Sequence, residues 1–233
     1  MGKECIWGTT MKRIFVVTEG QSETNFVNRV LVPYCCGSQK ILIPTTVLTK
    51  ADEQKGKMYK GGMLNYAKAH STIIKDLGYT KDQNVYVTTM FDLYALPKDT
   101  PGKEDADKIK EPYEKVAYLE KALFDSEKLN RPVYHPYIQL HEFEALLFTD
   151  LDYLAEQYFE YDIQSLRDCL AEKKNPELIN DGMETAPSKR VIACIPDYDK
   201  ATSGVSVLEK IGLDNLCKSC KHFSEWIEWI KSV

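Results

Sequence analysis

The length, composition and charge of the chain are those of an ordinary globular protein. Its 233 residues are 28% charged and 43% apolar, which excludes disordered and membrane-protein compositions. The formal net charge of −5 gives no overall basic field for nucleic acid, although it leaves room for a local basic patch. No apolar run approaches the length of a membrane span, and the start lacks the pattern of a signal peptide. We therefore expect a cytoplasmic protein whose seven cysteines are reduced thiols.

Strand and helix patterns alternate through the first part of the chain. The predicted strands are RIFVVTEG, KILIPTTVLT, NVYVTTMFD and VYHPYIQL, and helical patterns separate them. This alternation predicts an α/β domain over residues 11–150, with a mostly parallel central sheet flanked by helices. Residues 151–233 are predicted to form a mainly helical C-terminal extension packed on that domain. Residues 1–10 show no clear periodicity and Met11 offers an alternative start, so they are left out of the fold prediction.

Carboxylates follow three of the predicted strands. Glu19 ends the first strand, Asp92 ends the third, and Glu142 and Glu144 follow the fourth. The carboxyl ends of parallel strands meet at one edge of a sheet, so these side chains are expected to lie close together. Two carboxylates about 4 Å apart repel by about 4 kcal/mol at an effective dielectric constant of about 20. The simplest compensation is Mg²⁺ or Mn²⁺, which can also polarise a phosphodiester and activate water.

The sequence leaves open the roles of Glu23 and of the pair Glu142 and Glu144. Glu23 lies one helical turn beyond Glu19, where it either faces the same ion or stabilises the start of a helix through the helix dipole. Glu142 and Glu144 point in different directions whether their segment is extended or helical, so one of them is expected to be a ligand. Glu142 is slightly favoured because it is closer to the strand end.

Five segments in order resemble a bacterial family related to the Toprim domain, the domain-of-unknown-function family 4276. These are VVTEGQSE, VTTMFDLYALP, YIQLHEFEALLF, TAPSKR and HFSEWIEWI. The first two also resemble the Toprim domain of topoisomerases, primases and OLD-type nucleases. That resemblance implies a Toprim-like, Mg²⁺- or Mn²⁺-dependent nuclease in which Glu19 acts as the acid–base or metal-binding glutamate. Glu23 would be the second glutamate and Asp92 the first aspartate of the metal site.

The chain departs from the Toprim pattern at Tyr94, which occupies the position of the second aspartate. Glu142 or Glu144 would then have to replace that acid. The resemblance further implies a prokaryotic role in defence against phage or other mobile DNA, beside a separate ATPase subunit.

Cations and aromatic residues near these motifs are candidates for contact with nucleic acid. Lys200 is the predicted catalytic lysine, because a compact charge can stabilise a developing oxyanion and OLD-type nucleases are similar in placing a lysine late in the chain. Lys189 and Arg190 are predicted phosphate contacts, and Tyr94 is predicted to stack on a base. Solvated surface positions are the alternative for each of these charges. The lysine-rich segment 51–62 is predicted to be a loop.

Two other functions fit the same pattern. One is a Toprim-like module that binds metal or nucleotide without cutting, which the tyrosine at position 94 favours. The other is a phosphotransferase that acts on a small molecule, although no phosphate-binding glycine loop of the Walker type is present. The sequence leaves the oligomeric state and the choice between DNA and RNA open.

Overall fold

A computed structural model describes residues 11–37, 39–47, 63, 65–78, 84–128, 133–180 and 182–233. Residues 1–10 and the predicted loop 51–62 lie outside the described residues. The fold below concerns the described ranges alone.

Parallel strands form the centre of the fold. They are β1 (Lys12–Thr18), β2 (Lys40–Thr46), β3 (Val85–Asp92), β4 (Tyr134–His135) and β5 (Ile138–Gln139). Their order is β2-β1-β3-β4, with β5 also paired to β3. All these pairings are parallel, and helices flank the sheet, which confirms the predicted α/β fold class.

The predicted fourth strand is wrong as a single element. It is interrupted after His135, and two strands of two residues each, β4 and β5, take its place. Pro136 lies at the interruption and has no N–H to donate to a ladder of hydrogen bonds. The strand nevertheless continues along the same edge of β3 and delivers the chain to the carboxyl end of the sheet.

Helices account for most of the remaining described residues. The α-helices are α1 (Gln21–Phe26), α2 (Val32–Cys35), α3 (Tyr66–Gly78), α4 (Lys103–Ala106), α5 (Pro112–Ser126), α6 (Leu151–Gln157), α7 (Gln164–Lys173), α8 (Pro187–Cys194), α9 (Val205–Ile211), α10 (Leu213–Ser219) and α11 (Lys221–Ser232). Short 3₁₀ helices are Leu93–Ala95, Phe143–Thr149, Pro176–Leu178 and Met183–Thr185, and π-helical turns are Val27–Leu31 and Lys200–Gly204. In the described ranges, no helix has the length and apolar character needed to cross a membrane.

The two faces of the sheet have separate cores, because successive residues of a strand point to opposite sides. Val17 and Phe91 pack on one face with α3 and α5. Val16 and Met90 pack on the other face with α1 and the C-terminal helices. Trp226 of α11 joins this second core and donates its indole N–H to Thr88 Oγ1 of β3 at 2.9 Å. The predicted helical C-terminal part therefore shares a core with the sheet, while a domain boundary at residue 150 stays a prediction.

Candidate functional site

The turn from β1 into α1 places two glutamates at the carboxyl edge of the sheet. Glu19 follows β1 directly, and α1 begins at Gln21 with Gly20 as its N-cap. Thr24 Oγ1 donates to Gly20 O at 2.9 Å and lies 2.7 Å from Thr18 Oγ1. These bonds tie the first turn of the helix to the end of the strand, and Glu23 is buried beside it at 4% exposure.

The neighbouring strand β3 brings Asp92 to the same edge. Its backbone N–H donates to Glu19 Oε1 at 2.8 Å, which joins the ends of β1 and β3 directly. The Asp92 carboxylate in turn accepts the backbone N–H of Phe143 at 3.0 Å through Oδ1. Glu19 and Asp92, predicted to meet because their strands are parallel, thus lie in one hydrogen-bonded chain.

The acids converge on Lys200. Its ammonium Nζ lies 3.3 Å from Glu23 Oε1, 3.5 Å from Asp92 Oδ2 and 3.3 Å from Glu144 Oε2. We call Glu19, Glu23, Asp92 and Glu144 the acid cluster. Among the described residues, Lys200 is the ion-pair partner of three of these acids, and Glu19 is joined to them through the backbone N–H of Asp92.

The turn that carries Lys200 is held in place by its own contacts. Asp199 Oδ1 accepts the backbone N–H of Thr202 at 2.8 Å, and Asn25 of α1 donates to Ala201 O at 2.9 Å. The hydroxyl of Tyr198 packs so closely on Gly204 that a Cβ at that position would collide with it. The lysine is therefore attached to the helix that carries Glu23. Asn25 had no signal in the sequence beyond its place two residues after that glutamate.

Burial and mutual repulsion favour protons on Glu19, Asp92 and Glu144. Burial raises the pKa of Glu19 to about 7, and the charge of Glu23 adds to that increase. Burial also raises the pKa of Asp92 and of Glu144, against the opposing effect of Lys200. Burial lowers the pKa of Lys200, but the charges of Asp92, Glu144 and Glu23 raise it well above its usual value. Added positive charge, whether a proton or a cation, therefore stabilises this site.

The donor set of the acid cluster fits a hard divalent cation. Carboxylate oxygens are ligands that Mg²⁺ and Mn²⁺ prefer, and one ammonium cannot neutralise four carboxylates. In the arrangement that the structure describes, no three such side chains already converge as a set of metal ligands. The Lys200 ammonium lies between the carboxylates instead.

The structure brings Glu144 rather than Glu142 into the acid cluster, although the sequence slightly favoured Glu142 as the metal ligand, and the choice of ligand stays a prediction. His141 adopts a left-handed conformation with φ of 63°, and a 3₁₀ helix begins two residues later at Phe143. This bend turns Glu144 inward, where it is 1% exposed. Glu142 instead accepts the backbone N–H of Ser188 at 3.0 Å, in the first turn of α8.

The residues predicted to contact nucleic acid do not belong to the acid cluster. Tyr94 is 38% exposed, and its backbone N–H donates to His141 O at 3.1 Å. Lys189 is exposed on α8, and Arg190 Nε donates to Thr185 O at 2.7 Å. Their contact with nucleic acid remains a prediction.

The fold and the site thus define the class of the protein. It is an α/β protein with buried acids at the carboxyl edge of a parallel sheet. The chain belongs to the family described as Domain of unknown function (DUF4276), which matches residues 18–231 and so includes the acid cluster and Lys200. This family membership confirms the one inferred from the sequence motifs. No curated protein and no solved structure matches the chain, and the likeness to the Toprim domain stays a resemblance.

Proposed function

We propose that the protein is a Mg²⁺- or Mn²⁺-dependent nuclease that hydrolyses phosphodiester bonds at the acid cluster. The observation that carries this proposal is the convergence of three buried carboxylates on Lys200 at the carboxyl edge of a parallel sheet, with buried Glu19 joined to them through the backbone N–H of Asp92. In such folds, ligands bind beyond the carboxyl ends of the strands.

The residues of the cluster supply distinct parts of this chemistry. Glu23, Asp92 and Glu144 would hold the ion, which would polarise the phosphodiester and activate water when bound. Glu19, whose pKa is raised to about 7 by burial, can hold or release a proton near neutral pH. Lys200 would face the negative charge that develops on the phosphate.

The nucleic-acid substrate and the protein partner are part of the same proposal. Lys189 and Arg190 on α8 and the exposed ring of Tyr94 are the proposed contacts for phosphate and base. A cytoplasmic role in prokaryotic defence beside an ATPase subunit rests on the resemblance to OLD-type nucleases.

Incubation of the purified chain with plasmid, single-stranded DNA and tRNA, with and without Mn²⁺, tests the proposal. We expect cleavage that requires the metal and is lost in Glu19→Gln and Asp92→Asn. Glu156→Gln is the matched control, because Glu156 is an exposed acid paired with Lys210 at 3.5 Å. Cleavage that survives in Glu19→Gln would overturn the mechanism.

A module that binds metal without cutting is the second candidate. The tyrosine at position 94, where an aspartate completes the Toprim pattern, favours it. Mn²⁺ binding without cleavage of any of the three nucleic acids would select this alternative.

A further inference from the structure

We propose that the ammonium of Lys200 is a built-in counter-ion that a divalent metal displaces. The metal-free site is held together and closed by this lysine, and loading of the metal releases it toward the mouth of the site. This inference rests on the proposed function and concerns the regulation of the same site.

The contacts of Lys200 are those of a shared counter-ion. Its ammonium is 3.3 to 3.5 Å from oxygens of Glu23, Asp92 and Glu144, and no one of these distances is much shorter than the others. A direct bond between an ammonium and a carboxylate is about 2.7–2.9 Å long. The lysine therefore lies between the acids without a short bond to any of these three carboxylates.

Exposure identifies which partner can move. The Lys200 side chain is 34% exposed, whereas those of Glu23, Asp92 and Glu144 are 6%, 10% and 2% exposed. Asp92 is further tied by the backbone N–H of Phe143. The lysine thus reaches the acid cluster from the solvent side, and its side chain can leave while the carboxylates stay.

The ring of Phe143, which is fully buried, is a further contact of Lys200. The Lys200 ammonium is 5.4 Å from the centre of this ring, within the range of a cation–π contact. The backbone of the turn is held by Asn25 and Asp199, so the motion is confined to the side chain. Lys200 can therefore leave the acids through rotation about its own side-chain bonds.

Charge determines which cation is preferred. A divalent ion brings twice the charge of the ammonium and binds carboxylate oxygens directly, at about 2.0–2.1 Å for Mg²⁺. The displaced ammonium then stands at the mouth of the site, where it can meet an anionic phosphate. Binding of the metal thereby moves Lys200 to a position where it can contact the substrate.

Removal of the lysine charge tests the competition directly. Lys200→Met removes the charge and keeps an unbranched side chain that is one atom shorter. Lys210→Met removes a lysine that is 42% exposed and paired with Glu156. We expect calorimetric titration to show Mn²⁺ binding that is tighter by at least about tenfold in Lys200→Met than in the wild type and unchanged in Lys210→Met. Unchanged or weaker binding in Lys200→Met, or no binding to either protein, would overturn the proposal.

Chemical labelling of the wild type keeps the test decisive if Lys200→Met does not fold. Brief acetylation followed by mass spectrometry measures the reactivity of the Lys200 amine relative to that of Lys210. We expect Mn²⁺ to increase the acetylation of Lys200 severalfold, and a rate that is unchanged or reduced would contradict displacement. Because neither readout involves cleavage, a wild type without nuclease activity can still show displacement, and an active wild type can fail to show it.

Discussion

Glu142 and Glu144 are two residues apart and have different surroundings. Glu144 is buried against Lys200, whereas Glu142 accepts a backbone N–H at the start of α8. We expect Glu144→Gln to weaken Mn²⁺ binding by at least about tenfold, because it removes a negative charge from the proposed metal site. Glu142→Gln should leave Mn²⁺ binding intact and lower the free energy of unfolding by about 0.3–1 kcal/mol, because it removes a negative charge at the N-terminus of α8 while the amide oxygen can still accept the Ser188 N–H. Calorimetric titration and urea denaturation of both variants measure this, and equal metal affinities would refute the assignment.

The same pair of glutamates shows what the sequence can and cannot predict about individual residues. Glu19 and Asp92 were predictable as neighbours, because each ends an apolar strand and parallel strands align their carboxyl ends. The inward direction of Glu144 depends on the left-handed backbone of His141, with φ of 63°. A single histidine in this conformation has no counterpart in hydrophobic periodicity. The sequence could suggest Lys200 as a cation of the site. Its contact with the acid cluster is visible only in the tertiary fold.

At the scale of elements, β4 and α11 meet through two aromatic rings. His135 of β4 stacks on Trp229 of α11, with ring centres 4.5 Å apart and planes 11° from parallel. Burial lowers the pKa of His135 to about 4, and the nearby charge of His222 adds to the decrease. His135 therefore stays neutral in the folded chain at a pH where the same side chain is protonated in the unfolded chain.

This contact makes stability depend on pH in a defined direction. Between about pH 6.5 and 4 the unfolded chain binds more protons at this site, so stability falls as the pH falls through that window. The loss amounts to at most about 3 kcal/mol and is absent above about pH 6.5. His135→Phe keeps a ring on Trp229 and should flatten this dependence in urea denaturation, whereas His70→Gln, on a side chain 45% exposed, should not. An unaltered pH slope in His135→Phe would contradict this account.

The elements themselves differ in how far the sequence determines them. β1, β3 and α11 were predictable from apolar runs or from an amphipathic pattern, because burial on one or both faces leaves such a pattern. The break between β4 and β5 was missed, since a short apolar run around one proline resembles a single strand. The short 3₁₀ and π-helical segments have no period of their own that a sequence could display.

At the scale of the whole molecule, the C-terminal part completes the core of the sheet. Trp226 is 1% exposed, stacks on Tyr137 with ring centres 4.2 Å apart, and donates to Thr88 of β3. We expect Trp226→Ala to lower the free energy of unfolding by about 3–5 kcal/mol, as large-to-small core substitutions do. Glu225→Ala, at a neighbouring side chain that is 60% exposed, should change it by less than about 0.5 kcal/mol. Far-ultraviolet circular dichroism and tryptophan fluorescence should report one shared transition, and two separate transitions would show that the sheet folds without the C-terminal helices.

The convergence of acids from distant parts of the chain is the whole-molecule property on which the proposed activity depends. Calorimetric titration of the wild type and of Asp92→Asn with Mn²⁺ tests it most directly. We predict saturable binding to the wild type and a loss of affinity of at least about tenfold in Asp92→Asn, because the substitution removes one of the three carboxylate charges beside Lys200. No binding to the wild type, or equal affinity in the two proteins, would contradict a metal site at the acid cluster.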